Sequence, residues 1–245
     1  MEILKLEHVK KSYGQKEVLR DINLTLETPG IRAVIGPNGS GKTTLFNLIA
    51  HLLREDGGSI RVLGKPNSDP SIFKEASFLK DNRVLYPYLT GMDHLSFIQS
   101  VQQLLKARTN EVIEKMQIGS YVHRRVHTYS LGMKQNLLIA MAMMNRPKLM
   151  ILDEPLNGLD PTNVMKVRLL LQEMVSEGCA ILISSHTLSE VDRMTQEIFF
   201  LKDGYLITEQ GETEKNRKAE DRYMAMFPEE MAQVDALKTS LSKRK

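Results

Sequence analysis

The run Gly36-Pro37-Asn38-Gly39-Ser40-Gly41-Lys42-Thr43-Thr44 constrains this chain more than any other stretch. From Gly36 to Thr43 it has the spacing G-x-x-x-x-G-K-[ST]. Ahead of it, Ile31, Ala33, Val34 and Ile35 read as a short buried strand of apolar and β-branched side chains. Behind it, TLFNLIAHLL continues as an apolar helical run. Strand, glycine-rich loop and helix start are the context in which this spacing cradles phosphate instead of marking an ordinary turn. The glycines let the backbone curl until successive N–H groups form an anion nest, and the helix N-terminus adds partial positive charge. Lys42 is then placed for the β- and γ-phosphates and the Thr43 hydroxyl for Mg²⁺. A nucleoside triphosphate site is therefore expected.

Length and composition set the frame around that loop. A chain of 245 residues buries a substantial core, and 42% hydrophobic with 26% charged residues is ordinary for a globular protein. A net charge of +3 is too mild to point to nucleic acid. The single cysteine, Cys179, excludes an internal disulfide, and its place in CAILIS predicts a buried structural thiol. The longest apolar run, Leu137 to Met144, falls far short of the roughly 20 residues of a membrane-spanning helix. The start, MEILKLEHVKK, lacks the apolar core of a signal peptide, so a cytosolic protein, or one bound to a membrane through something else, is expected.

Ile3 to Val9 and Val18 to Leu26 alternate apolar and polar residues, as half-buried antiparallel strands do. The turn between them carries Tyr13, which would either cap a hairpin or stack on a purine base. Gly57-Gly58 predicts a turn and Ser59 to Leu63 a short strand. From about Asp93 to Met144, HLSFIQSVQQLLKA, NEVIEKMQI and GMKQNLLIAMAMMN carry apolar residues at helical spacing, a helical subdomain inserted into an α/β core. Its six methionines, Met92, Met116, Met133, Met141, Met143 and Met144, are expected to fill core space. Leu149 to Leu152 and Ala180 to Ser184 read as strands buried on both faces. A helix is expected from Pro161 to about Val175, and a hairpin turning at Asp203-Gly204. The final residues, KTSLSKRK, read as a solvated basic tail, with an anionic-lipid contact as the alternative.

Two acids end the first of those buried strands. Asp153 stands at its C-terminal edge, where a carboxylate holds Mg²⁺ through the metal's water shell, and Glu154 beside it is able to orient or deprotonate a water. His186, after the second strand, is placed to touch a γ-phosphate.

With these residues assembled, the chain resembles the ATP-binding subunit of an ABC (ATP-binding cassette) transporter over about residues 1–225. GPNGSGKTT is similar to the family's Walker A motif and LMILDEP to Walker B, which makes Glu154 the catalytic carboxylate. YSLGMKQ resembles the signature motif, LNGLD the D-loop, and SSH the switch-histidine segment. The resemblance places Tyr13 against adenine and brings Ser130 and Gly132 to the γ-phosphate. The usual signature is L-S-G-G-Q, and here the serine and second glycine alone of its central residues remain. Asp81 stands at the Q-loop position, where the family has glutamine as a metal contact.

The fold this implies is α/β: a P-loop NTPase core with a mainly parallel sheet, an N-terminal antiparallel β subdomain, a helical insertion at about 90–145 and a charged tail at 226–245. The implied cofactors are ATP and Mg²⁺. The implied partners are a transmembrane permease on a separate chain and a second ATP-binding subunit in a homo- or heterodimer, with no nucleic acid. Tyr86, Tyr88 and Leu85 are candidate anchors for the permease, and their bland alternative is a packed loop. Wording such as LYPYLT is closest to the exporter branch, which points to a drug, antibiotic or peptide-like cargo and a place on the inner face of the cell membrane. The rival reading is a soluble ABC ATPase in a non-transport process.

Overall fold

The computed structural model describes residues 2–208 and 217–229. Strands β1 (Leu4–Tyr13) and β2 (Lys16–Leu26) form an antiparallel hairpin, and β4 (Gly57–Val62) pairs with the other edge of β1. The two-residue β5 (Lys65–Pro66) completes this antiparallel part. Strands β3 (Gly30–Ile35), β6 (Ala76–Leu79), β7 (Leu149–Leu152), β8 (Ala180–Ser184) and β9 (Ile198–Lys202) run parallel to one another, and β10 (Tyr205–Thr208) returns antiparallel to β9. All ten join in the order β5-β4-β1-β2-β10-β9-β3-β8-β7-β6. The seam is the β10 turn, where Gly204 accepts from the Arg20 N–H at 2.9 Å.

The apolar strands are buried on both faces, as their unbroken hydrophobicity requires. Ala33 and Ile35 of β3, Ile181 and Ile183 of β8, and Met150 and Leu152 of β7 face one core. Helices α2 (Gly91–Val101), α3 (Lys106–Met116), α4 (Leu131–Met143) and α5 (Pro161–Ser176) pack into it. Val34, Leu182 and Ile151 face a second core, shared with α1 (Lys42–Ile49) and with β1, β2 and β4. Every strand bearing a motif therefore ends on one edge, the C-terminal edge of the parallel strands, where open α/β sheets bind ligands.

The α2–α4 insertion lies between β6 and β7 and is tied down by specific caps. Thr90 and Asp93 form a capping box at α2, and Ser130 caps α4. Met116, Met143 and Met144 are buried, and Met92, Met133 and Met141 pack against that core. Two further short α-helices among the described residues are α6 (Leu188–Asp192) and α7 (Ala219–Met226).

Three sequence expectations change. Gly57 and Gly58 open β4 instead of forming a turn. The β1 partner strand shifts register between Glu7 and Lys10, and a Cβ on Gly58 (φ +85) would stand 2.5 Å from the His8 carbonyl carbon. The run HLSFIQSVQQLLKA is broken: α2 ends at Val101, Gln103 adopts φ +54, and α3 begins at Lys106. Leu85 is buried at 6% exposure, so of the proposed anchors Tyr86 and Tyr88 alone are open, at 67% and 79%. The basic tail KTSLSKRK lies outside the described residues.

Candidate nucleotide site

The phosphate loop leaves β3 at Ile35 and enters α1 at Lys42. Gly41, at φ +109, is the residue before the helix, and a Cβ there would come within 2.9 Å of Val18 on β2. Glycine is required by both the conformation and the close approach. Lys42 Nζ donates to the Gly36 carbonyl at 2.7 Å and the Pro37 carbonyl at 3.0 Å, so its ammonium crosses the mouth of its own loop. Burial pushes the Lys42 pKa below its ordinary value, opposed by the charges of Glu154 and Asp153. A half-buried cation that no carboxylate among the described residues hydrogen-bonds is what an arriving anion finds here.

Thr43, one residue on, donates through Oγ1 to Asp153 Oδ2 at 2.9 Å. Strand order explains the meeting: β7, which Asp153 follows, is separated from β3 by β8 alone. Asp153 is held from two other sides. Its N–H donates to the Leu79 carbonyl at 3.0 Å, and its Oδ1 accepts from Ser184 Oγ at 2.5 Å. That same Ser184 oxygen accepts from the Glu154 N–H at 2.9 Å. Glu154 takes a left-handed backbone (φ +50), and its Oε2 lies 2.8 Å from His186 Nδ1. Thr43, Asp153, Ser184, Glu154 and His186 thus form one connected set beside Lys42.

Ser184 is the member that sequence reasoning missed. It closes an apolar strand and is fully buried, so it reads as the last core residue of AILIS. The available signal was a hydroxyl at the end of a strand adjacent in pattern to the one ending in two acids.

Other expected site residues stand apart from this set. Tyr13 is half exposed at the end of β1, with Lys11 Nζ 6.0 Å from its ring centroid. Ser130 Oγ accepts from the Met133 N–H at 3.2 Å as the cap of α4, and Gly132 follows in the first turn. No hydrogen bond among the described residues links Ser130 or Gly132 to Lys42 or Thr43 within the chain. Asp81 is likewise engaged elsewhere: its carboxylate accepts from the Arg83 N–H at 3.0 Å and from the Arg83 guanidinium at 2.9 and 2.6 Å. Those contacts hold its carboxyl below the usual carboxylate pKa.

A family model described as ABC transporter matches residues 19–157, more than half of the chain. The chain belongs to the ABC transporter ATP-binding family. It is 36% identical over 207 residues to the lantibiotic transport ATP-binding protein SrtF of Streptococcus pyogenes, covering 84% of this chain and 90% of that one. It is 32% identical over 223 residues to the bacitracin transport ATP-binding protein BcrA of Enterococcus faecalis, covering 88% and 72%. A solved ATP-binding subunit of an ABC transporter superposes with a TM-score of 0.83 at 24% identity, covering 91% of this chain and 98% of that one, which establishes the shared fold. As a member of this family the chain binds and hydrolyses ATP as the ATP-binding subunit that powers a membrane permease. No helix among the described residues is long and apolar enough to cross a membrane.

Proposed function

We propose that this ABC subunit drives export of an antibiotic or peptide-like cargo, and that two copies close around two ATP molecules. The reading is carried by one observation: Thr43–Asp153 and Glu154–His186 are pre-assembled beside Lys42, all at the same sheet edge. Gly36 to Thr44 cradle the phosphates and Lys42 neutralises the β/γ oxygens. Thr43 and Asp153 supply the hard oxygens that Mg²⁺ takes, the rest of its shell coming from water and ATP. When bound, Mg²⁺ offsets the charge that develops on the phosphate oxygens. Glu154 orients the attacking water and accepts its proton, and His186 fixes the rotamer of that carboxylate. Tyr13 stacks on the adenine.

Among the described residues no hydrogen bond ties Ser130 or Gly132 to Lys42 or Thr43 of the same chain, which favours action on the nucleotide of a second copy. There the Ser130 hydroxyl and the amide end of α4 complete the site. ATP binding stabilises the closed pair by mass action, and hydrolysis reopens it. One cassette spans residues 1–225, with the insertion at 90–145 carrying the partner-facing surface. An apolar groove of about 350 Å³ between α1, β6, α2 and α4 is lined by Leu52, Phe73, Phe78, Val84 and Ile98. It is suited to a helix of the permease, a separate chain, with the exposed Tyr86 and Tyr88 on the loop that follows β6. The subunit then sits at the inner face of the cell membrane through that permease. The cargo class rests on the relatives SrtF and BcrA, named for lantibiotic and bacitracin transport.

Co-purification from detergent-solubilised membranes tests this function. Recovery with a multi-span membrane protein, together with ATPase activity abolished by Lys42→Ala, is expected. A chain found with ribosomes or in a free pool overturns it.

A further inference from the structure

We infer that Leu131 and Gly158 are a matched steric pair that positions the signature serine against the loop following Glu154. Position 131 is where this chain departs from the glycine usual in the family. The structure shows where the extra side chain goes. Gly158 sits at φ +75, and a Cβ on it would lie 2.5 Å from Leu131 Cγ and closer still to its Cδ2. The leucine therefore fills the space that any other residue at 158 would need. From the next position, a Cβ on Gly132 would be 3.3 Å from the Gly158 carbonyl oxygen, so backbone and side chain both crowd the same point.

Two more ties run from α4, one to the same loop and one to α5 just after it. Gln135, one turn after Leu131 on the same face, donates through Nε2 to the Pro155 carbonyl at 2.8 Å, in a buried contact. Asn136 Nδ2 donates to Asn163 Oδ1 at 3.3 Å. Asp160 closes the far end by capping α5 through the N–H groups of Thr162 and Asn163. The loop from Pro155 to Asp160 is thus held at its start by Gln135, at its middle by Leu131 and at its end through α5. Leu131 is half exposed, so apolar burial alone does not account for its place.

Ser130 precedes Leu131, and Glu154 precedes Pro155. This inference rests on the reading that Ser130 acts on the second copy's nucleotide and Glu154 on its own. The interlock then makes these two groups parts of one rigid body. Leu131 and Gly158 are positioning residues for ATP hydrolysis, and their bulk must be conserved as a sum: leucine with glycine, or glycine with a larger residue.

The test is a mutant cycle on the full chain: parent, Gly158→Ala, Leu131→Gly and the double variant, each measured for kcat, KM, affinity for a fluorescent ATP analogue and Tm. Gly158→Ala is expected to lower kcat about tenfold or more, the scale of small misplacements in a catalytic site. KM and analogue affinity should stay within about threefold, because the phosphate loop is untouched. In the Leu131→Gly background the same alanine should change kcat by less than about threefold. Positive-φ strain at residue 158 is present in both backgrounds, so it appears as an equal Tm loss and cancels from the cycle. Equal kcat losses in both backgrounds, or none in the parent, overturn the pairing. Where turnover of the isolated chain is too slow to measure, ATP-dependent dimerisation in a Glu154→Gln background reads the same cycle. Lys42→Ala separates the two readings: hydrolysis that survives it removes the proposed site itself, whereas a flat cycle with an inactive Lys42→Ala removes the interlock alone.

Discussion

His186 Nδ1 lies 2.8 Å from Glu154 Oε2, joining the segments that follow β8 and β7. The contact fixes a carboxylate that would otherwise sample several rotamers, and its partner is itself 57% exposed. Glu154→Gln is expected to reduce ATP turnover by roughly 10²- to 10⁴-fold, the usual contribution of a positioned acid–base group, with ATP affinity retained. His186→Ala should fall in the same direction, and the double variant should be little worse than the poorer single one, because the two act as a unit. Steady-state ATPase assays with an independent binding titration check this. Additive losses would show that the pair works separately.

Ser184 offers a sharper test of the strand-end network. Ser184→Ala removes the donor to Asp153 and the acceptor of the Glu154 N–H at once. Leaving a buried N–H unpaired costs about 1–3 kcal/mol, so Tm should fall by several degrees. Turnover should fall as well, because both acids lose a support. A variant with parental Tm and rate would show that water replaces the hydroxyl without cost.

Asp81 is held by Arg83, and this decides what its substitution does. Asp81→Gln is expected to release Arg83 and leave ATP hydrolysis intact, with any change appearing in the presence of the permease. Asp81→Ala should likewise retain turnover of the isolated subunit. Complete loss of ATPase in Asp81→Ala would make this carboxylate part of the catalytic set.

Phe227 anchors the described C-terminal segment. Its ring packs 4.6 Å from Tyr223 and 6.2 Å from Phe200, while Lys202 Nζ donates to the Met226 carbonyl at 2.8 Å. Phe227→Ala should destabilise by about 3 kcal/mol, the cost of truncating a buried aromatic. Chemical denaturation measures this, and a change below 1 kcal/mol, as expected for a surface position, would show that the segment is not part of the cooperative core.

Cys179 sets an alkaline signature. Burial raises its thiol from 9.0 to about 12. The unfolded chain ionises this thiol first, so the stability difference is complete below about pH 9 and declines as pH rises towards 12. Cys179→Ala should remove that part of the decline. In the native protein the thiol should resist alkylation at neutral pH and react on unfolding; rapid native labelling would contradict the buried placement.

Much of this site was legible before any coordinates. The phosphate loop is local: strand end, glycines, lysine and helix start are contiguous, so Gly36 to Thr44 announce themselves. The same holds for the acid pair after Leu149–Leu152, for the doubly buried strands Leu149–Leu152 and Ala180–Ser184, and for the Asp203-Gly204 turn, where both residues take positive φ. Expectations failed where a neighbour in space overruled local pattern. Gly57-Gly58 carries a turn signature, yet a bulge in β1 draws it into a strand. Leu85 sits beside two exposed tyrosines in sequence, yet its side chain turns into the core.

By itself, then, the chain's order of residues determined the chemistry on offer: a triphosphate loop, two acids, a histidine and an α/β scaffold, each encoded within a few consecutive positions. Tertiary structure alone decided who meets whom. Thr43 and Asp153 are 110 residues apart and 2.9 Å apart because β8 is the single strand between β3 and β7. Ser184 joins both acids because β8 lies next to β7, and Leu131 meets Gly158 because α4 packs against the loop that follows β7. Packing of distant segments is a property of the assembled sheet, and no local pattern carries it.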